Sequence, residues 1–522
     1  MKKNIMNTKY IWLLVILIGF SACNEIDDVL ENQNIDTTVE VLPNLNAGSA
    51  DFSNYVSLGN SLTAGFTDNA LFIAGQENSF PNILSSRFSM LGGGDFYQPL
   101  MNDNIGGFLF GGSPTANGSF GPRLYFYSDQ DEDDDFDSGP YPLGVVPHLN
   151  DFTPKTPTTE LFAPSIGSQN NMGVPGAKAA HLLYDGYGNM ANLGVSANPY
   201  FIRMASSSTA TVLGDAMAQS PSFFSLWIGN NDVLGYALSG GDGTNPITPS
   251  AGAPGVGFDQ TYGALITTLT SGGAKGIVAN IPYVTTIPHF TTVPYNPIPL
   301  DAATAGALNQ GYAAYNGGLQ QALAALNGTG LFTAEEVAKR TIIFSEGEGN
   351  ALVIIDENLT DLGAINPAFS GIPQFRQATE DDLFVLPLAS LIPQGYGTQI
   401  QLADKWVLTP EEQDEIKIAT DAFNATIEAT AASAGLAFVD ANSFMQQLHT
   451  GGYSDGNFTL TSSLVTGGAF SLDGVHPTAR GYALLANLFM KAIDATYGSN
   501  FEASGNLVDI GNYPTNYSPL LQ

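Results

Sequence analysis

The chain has almost no cysteine. Cys23 is the only one in 522 residues, so the protein can form no intramolecular disulfide bond. Its fold must instead be stabilised by a hydrophobic core, and the composition supports one, since 44% of the residues are hydrophobic and 11% are aromatic. The length is sufficient for one large domain or two ordinary ones.

Positive charge is also scarce. Lys and Arg total 16 against 49 Asp and Glu, which gives a formal net charge of −33. A surface this negative repels the phosphates of nucleic acids, so we expect no nucleic-acid partner. Because only 12% of the residues are charged, solubility must depend largely on neutral polar side chains, which suits an exported protein.

The N-terminus has the pattern of a secretory signal. A basic segment precedes the apolar run at 11–18, which is too short for an ordinary membrane-spanning helix. The run leads to "FSAC" at 20–23, which resembles a bacterial lipobox. We therefore expect a lipoprotein signal peptide at 1–22, a lipid anchor on Cys23 and a tether at 23–51. The protein would then be exported and anchored by lipid to the bacterial outer membrane.

From about residue 52 the pattern alternates between short apolar strands and amphipathic helices, which is typical of an α/β fold with a mainly parallel sheet. Two stretches rich in Gly and Pro, near 92–170 and 283–400, break this alternation. We interpret them as insertions in one domain at 52–500, followed by a C-terminal tail at 501–522. The clearest predicted elements are strands ending at 59, 228, 282 and 440 and helices at 80–91, 258–269 and 410–434.

The sequence offers no clear metal or cofactor site. Asp131, Asp133 and Asp135 alternate as at the start of a calcium loop, but Phe136 stands where such a loop needs glycine and Pro142 where it needs an acid. We therefore interpret this run as a solvated acidic loop. No histidine pair has metal-binding spacing among His148, His181, His289 and His449. No metal and no cofactor is predicted.

Polar residues follow several predicted strands at their carboxyl ends. Ser61 comes after the first strand, Asn231 after "FFSLWIGN", and Asp473 and His476 lie in a loop near the C-terminus. In open α/β sheets these ends form the ligand crevice, so distant residues can converge there. A serine becomes a nucleophile only beside a base that a third group orients, and His476 with Asp473 three residues earlier could supply both.

Four segments of the sequence resemble the sequence blocks of the SGNH or GDSL-type serine esterases and lipases. They are "GNSLTAGF" with Ser61, "NMGVPGA" at 171–177, "GNND" at 229–232 and "DGVH" at 473–476. The resemblance implies a three-layer α/β/α sandwich of flavodoxin-like type with two large insertions. It also implies that the protein is an ester hydrolase that forms an acyl-enzyme on Ser61. His476 would be the base, and Asp473 would be the acid that orients it.

The resemblance further implies an oxyanion hole made by Ser61, Gly176 and Asn231, with Gly173 as the other candidate glycine. One position departs from the family pattern, because Asn60 replaces the usual aspartate of G-D-S. The wider α/β-hydrolase family is disfavoured, since the chain has no G-x-S-x-G segment.

Two questions stay open at the level of sequence. The first is the function class, because a non-catalytic surface lipoprotein could bind glycan or lipid on the same fold. The second is the substrate, which could be the ester of an acyl lipid or an acylated glycan.

Overall fold

The computed structural model describes residues 42–115, 120–129, 138–163, 167–243 and 246–522. Residues 45–522 form one compact unit. The predicted signal peptide, Cys23, most of the tether and most of the acidic loop lie outside the described residues. Among the residues that are described, no helix is long and apolar enough to cross a membrane.

Five short parallel strands form the central sheet, in the order β2-β1-β3-β4-β5. Nearly every side chain on them is buried, as expected for a parallel sheet covered on both faces. This confirms the predicted α/β class with a parallel sheet. The strands are β1 (Tyr55–Gly59), β2 (Asn171–Gly173), β3 (Phe223–Trp227), β4 (Lys275–Ala279) and β5 (Ala437–Val439).

Eight helices are used below. They are α1 (Ser61–Ala64), α2 (Phe80–Phe88), α3 (Asn230–Leu238), α4 (Phe258–Thr270), α5 (Ala302–Ala325), α6 (Pro410–Ala434), α7 (Ala441–Thr450) and α8 (Ala479–Tyr497). The other α-helices of the described residues are Ile73–Glu77, Pro199–Ile202, Val212–Met217, Pro288–Thr291, Ala334–Arg340 and Leu362–Ile365.

Local sequence signals fix the ends of α6. Thr409 and Glu412 form a capping box at its start, and Gly435 ends it in the left-handed conformation. The predicted helix at 410–434 is therefore confirmed. The last helix, α8, is capped by Thr478, whose hydroxyl accepts the N–H of Gly481 at 3.0 Å.

Aromatic side chains join the sheet to the helices beside it. Phe223 of β3 packs against Phe88 of α2, with ring centroids 5.6 Å apart, and Trp227 packs against Phe489 of α8 at 6.0 Å. Elsewhere, α4 and α6 meet through stacked rings of Phe258 and Phe423, 4.1 Å apart, and α6 contacts β4 and β5. This arrangement is compatible with a three-layer α/β/α fold.

The two predicted insertions contain short ribbons and turns, and the second also contains α5 and the helix Ala334–Arg340. Small hydrophobic cores lie within these regions. The paired strands are Leu124–Tyr127 with Gly139–Pro142, Ile298–Leu300 with Gly347–Asn350, Val353–Ile355 with Phe375–Gln377, and Leu383–Phe384 with Val407–Leu408. A further ribbon joins Tyr453–Asp455 to Phe458–Leu460.

The C-terminal segment packs onto the rest of the unit. Phe501 and Tyr517 are buried, and the guanidinium group of Arg123 donates to the carbonyl oxygens of Ser518 and Leu521 at 2.7 and 2.9 Å. Residues beyond 500 therefore contribute to the folded structure.

Candidate active site

The strand order creates a crevice where Ser61 and Asn231 meet. Strands β1 and β3 are neighbours in the sheet. The chain after β1 leads to β2 on one side of this pair, and the chain after β3 leads to β4 on the other side, so a topological switch point lies at the carboxyl ends of β1 and β3. Ser61 begins α1 immediately after β1, and Asn231 lies in the first turn of α3 after β3. The sequence thus delivers two candidate polar groups to one edge of the sheet.

Ser61, His476 and Asp473 form a continuous hydrogen-bonded chain. Nε2 of His476 lies 2.8 Å from Oγ of Ser61, and Nδ1 lies 2.9 Å from Oδ2 of Asp473. A carboxylate at Nδ1 favours the tautomer with the proton on Nδ1, which leaves Nε2 free to accept the serine proton. The structure therefore brings together the three residues that the sequence singled out, in the order that proton transfer needs.

The Asp473 carboxylate is held by more than the histidine ring. Its Oδ1 accepts the N–H groups of Val475 and His476, both at 2.8 Å, and its Oδ2 also accepts the N–H of Asn69 at 2.9 Å. Burial alone would raise the pKa of Asp473, but the nearby imidazole and these hydrogen bonds hold it well below the ordinary value for aspartate. Asp473 therefore stays ionised beside His476.

The loop before α8 is folded so that the imidazole faces the serine. The N–H of Ser471 donates to the carbonyl of His476 at 2.8 Å, and that of Gly474 donates to the carbonyl of Ser471 at 3.0 Å. The ring of Phe66 packs against the imidazole with centroids 4.6 Å apart. These contacts fix the direction of His476 from both the backbone and the ring.

Two of the three residues predicted to bind the oxyanion have a backbone N–H group that donates to no described group. Asn60 caps α1 by accepting the N–H of Leu62, and the N–H of Ser61 donates to no group in the described part of the chain. The N–H of Gly176 is likewise unused among the described residues, whereas the N–H of Gly173 donates to Oδ1 of Asn171 at 3.0 Å. Of the two candidate glycines, Gly176 is thus the one with a donor to offer.

The segment "GNND" holds the loop that carries Gly176. Nδ2 of Asn231 donates to the carbonyl of Ala177 at 2.9 Å, and Oδ2 of Asp232 accepts the N–H of Ala179 at 2.9 Å. The second amide hydrogen of Asn231 is left for another acceptor. Gly176 itself is exposed in a turn at φ +80°, a conformation that suits glycine, and it does not line the pocket described below.

Asn60, the departure from the family pattern, uses both ends of its side chain. Its Oδ1 accepts the N–H of Leu62 and its Nδ2 donates to Oδ1 of Asn230, each at 3.0 Å. The side chain is buried at 1% exposure, so both hydrogen bonds matter for its stability. Asparagine here joins the start of α1 to the start of α3, beside Ser61.

An apolar pocket opens beside Ser61 and His476. It holds about 830 Å³ of empty space, including its opening to solvent. Among the described residues, no Asp, Glu, Lys or Arg lines it. Its apolar walls include Leu62, Leu234, Val284, Ile287, Phe444, Met445, Leu448, Phe470, Val475, Leu484 and Leu485.

The sequence did not point to Asp68 and Asn69, which support the loop of Asp473. Both have positive φ, 49° and 64°, in a tight turn closed by hydrogen bonds between Thr67 and Ala70. The N–H of Asp68 donates to Oγ of Ser471, and Oδ1 of Asp68 accepts the N–H of Leu472. The usable signal was the Asp-Asn pair, since both residues tolerate the left-handed conformation that such turns require.

Three of the four other histidines bond through Nδ1 to neighbouring groups. Nδ1 of His148 lies 2.7 Å from Oη of Tyr127, Nδ1 of His181 accepts the N–H of Lys178, and Nδ1 of His449 lies 3.2 Å from Oγ of Ser462. The described residues contain one cluster of possible metal ligands. It consists of carboxylates alone and lies on elements other than those that carry Ser61, Asp473 and His476.

Comparison of the chain with protein-family models, curated proteins and solved structures finds no match.

Proposed function

We propose that this protein is a serine ester hydrolase. The observation that carries the proposal is the chain of hydrogen bonds from Ser61 through His476 to Asp473, with 2.8 and 2.9 Å between the bonded atoms. Such an arrangement is costly to maintain for structure alone, because it orients a buried carboxylate, an imidazole and a hydroxyl at one edge of a pocket. It is the arrangement that activates a serine for acyl transfer.

In the proposed reaction, Oγ of Ser61 attacks the carbonyl carbon of the ester while Nε2 of His476 takes the serine proton. Asp473 stabilises the imidazolium, which then gives its proton to the departing alcohol. Water, activated by the same imidazole, next attacks the acyl-enzyme, releases the carboxylic acid and returns the proton to Oγ.

The oxyanion in this reaction would be held by the N–H groups of Ser61 and Gly176 and by Nδ2 of Asn231. Each of these has hydrogen-bonding capacity that no described group takes up. Loss of one such donor typically lowers the rate by about 10²- to 10³-fold.

The pocket favours the ester of an acyl lipid over an acylated glycan as the substrate. Leu, Val, Ile, Phe and Met side chains form most of its walls, and none of its described lining residues is Asp, Glu, Lys or Arg. Sugar hydroxyls would lose their hydrogen bonds to water there without replacement, whereas each buried methylene of an acyl chain contributes about 0.8 kcal/mol. We assign the pocket to the acyl chain of the ester.

We also propose membership of the SGNH or GDSL-type family. The four segments quoted above support this, as does the strand order β2-β1-β3-β4-β5, which is the flavodoxin-like order. Export and lipid attachment at Cys23 complete the proposal. Replacement of Cys23 by alanine should release the protein from the membrane fraction.

Steady-state hydrolysis of a p-nitrophenyl butyrate ester tests the function. The protein should turn the ester over, Ser61→Ala should reduce kcat/KM to background, and the matched exposed variant Ser89→Ala should behave as wild type. Equal turnover by Ser61→Ala would refute the proposal. Tight binding of lipid or glycan by both proteins, without turnover of any ester, would favour the surface binding protein instead.

A further inference from the structure

Three carboxylates converge away from the candidate active site. Glu357 follows the strand Val353–Ile355, Asp404 precedes the strand Val407–Leu408, and Glu412 lies in the first turn of α6. One oxygen from each carboxylate lies within 4.8 Å of the others. The convergence brings Glu357 to Asp404 and Glu412, which lie much later in the sequence.

Two oxygens in this cluster are buried and have no donor as a partner among the described residues. Glu412 is 4% exposed, and its Oε2 accepts the N–H and the hydroxyl of Thr409 at 2.7 and 2.9 Å in the capping box. With both carboxyl groups ionised, Oε1 of Glu412 and Oδ1 of Asp404 accept no N–H or O–H group of the described residues. A proton on either group would form a hydrogen bond between them. The cap thus uses one oxygen of Glu412 and leaves the other directed at the neighbouring carboxylates.

No positive side chain neutralises the cluster within the described ranges. Their ion pairs with Lys, Arg or His include none of the three carboxylates. Lys405, next in sequence to Asp404, has its ammonium group 5.0 Å from the ring centroid of Trp406. Arg376 pairs with Asp356 and Asp382 instead.

Buried carboxylates without a partner are strongly disfavoured unless a proton or a cation neutralises them. A proton is the competing occupant, because burial raises the pKa of Glu412 to about 8. A proton shared with Asp404 would neutralise that pair, and the exposed carboxylate of Glu357 would remain beside it as a third negative charge.

We propose that Glu357, Asp404 and Glu412 bind a calcium ion. Calcium takes oxygen ligands at about 2.3–2.6 Å, so one ion can contact oxygens up to about 5 Å apart, as these are. Its flexible geometry accepts three carboxylates supplemented by water. Magnesium, with bonds of about 2.0–2.1 Å, would require the three oxygens to draw closer together.

The space beside Oε1 of Glu412 is shaped by glycine. Gly241 follows α3 with φ +77°, and a Cβ on it would lie 2.4 Å from Oε1 of Glu412. A calcium ion here would therefore bind where the end of α3, the start of α6 and the inserted segment come together. Because α3 also carries Asn231, the ion would help to fix the insertion against the helix that supports the candidate site.

Calorimetric titration with CaCl₂ tests the proposal on the full protein, after its cations have been removed with EDTA. We expect one calcium ion per chain, with a dissociation constant no weaker than about 10⁻³ M, and a higher Tm in its presence. Glu412→Gln should bind at least tenfold more weakly while it keeps the capping box, in which Gln can replace Glu. Asp404→Asn should weaken calcium binding by a similar factor. If Glu412→Gln does not fold, calcium binding by Asp404→Asn tests the proposal.

Two control variants separate this site from other acidic groups. Glu428→Gln changes an exposed carboxylate on the same helix, and Asp133→Asn changes the acidic run near residue 133. Both should bind calcium as wild type does. No calcium binding by wild type, unchanged binding by both Glu412→Gln and Asp404→Asn, or equal or tighter binding of magnesium would each overturn the proposal. Calcium binding without esterase activity would leave it standing, since the titration does not depend on the proposed function.

Discussion

The backbone N–H of Asn69 donates to Oδ2 of Asp473 at 2.9 Å, across 404 residues of chain. Asn69 belongs to the turn that follows α1, so the segment that supplies Ser61 also supports the carboxylate behind His476. Ser61 and Asp473 are thereby joined by two routes, one through the imidazole and one through the turn. The geometry of the site depends on both.

Asp473→Asn should lower kcat/KM for ester hydrolysis by about 10⁴-fold near neutral pH. An amide can present its N–H₂ group to Nδ1, which favours the wrong tautomer and removes the charge that stabilises the imidazolium. Because the pKa of Asp473 is held well below the ordinary value, the wild-type carboxylate should stay ionised at every pH used for the assay. Asp95→Asn, an exposed change, is the control, and a loss of less than tenfold in Asp473→Asn would contradict the assigned role.

Asp68→Asn should make the protein more stable at high pH. Burial, together with the charge of Asp473, raises the pKa of Asp68 to about 7. A raised folded-state pKa stabilises the protein below the unfolded value near 4, and this contribution is lost as pH rises through 7. The variant should match wild type near pH 4 and exceed it at pH 8, by up to about 4 kcal/mol.

Denaturant unfolding of wild type and Asp68→Asn between pH 4 and 8 measures this difference, with the exposed variant Asp185→Asn as control. Other buried carboxyls titrate in both proteins, so the difference between them isolates Asp68. A difference that does not change with pH would contradict the prediction.

Asn60→Asp should retain hydrolysis within about tenfold of wild type, since Oδ1 of the new side chain can still cap α1. It can no longer donate to Oδ1 of Asn230 when ionised, so we expect a loss of about 1–3 kcal/mol in unfolding free energy that grows with pH. Asn60→Leu, which removes both hydrogen bonds, should lose more activity and more stability. Abolition of activity in Asn60→Asp would show that the amide has a role in the reaction itself.

Met445→Trp should shift substrate preference towards short acyl chains. Met445 lies on α7 and lines the pocket, so a larger side chain removes room for the acyl group. Lost burial of two methylenes is worth about 1.6 kcal/mol, or roughly fifteenfold in kcat/KM. The ratio of kcat/KM for octanoyl and acetyl p-nitrophenyl esters measures the shift, and Met90→Trp, at an exposed methionine, is the control. An unchanged ratio would exclude the pocket as the acyl site.

Strong local signals made part of the fold predictable from sequence. The cap at Thr409, the stop at Gly435 and the period between them place α6 correctly, and apolar runs place β1, β3, β4 and β5. The strand β2 could not be found this way, since only three residues pair with β1 and two of them are Asn171 and Gly173. Its strand conformation comes from tertiary pairing and not from β propensity.

Ser61, His476 and Asp473 could be selected from sequence because each lies in a short segment with its own pattern. The residues that support the site could not be selected from sequence, since Asn69 acts through a backbone N–H that any residue in that turn would present. The cluster of Glu357, Asp404 and Glu412 has no sequence signature, because Glu357 comes from a segment far from Asp404 and Glu412 in sequence. The choice between acyl chain and sugar needed the pocket walls, which α7 and the residues near 284–287 supply only in the folded chain.

The most direct test of the central claim is the site and rate of labelling by a fluorophosphonate probe, read by mass spectrometry of the digested protein. We predict one phosphonylated peptide, modified at Ser61, with no label in Ser61→Ala and labelling at least about a hundredfold slower in His476→Ala. Labelling of another serine, or equal rates in wild type and His476→Ala, would contradict the account.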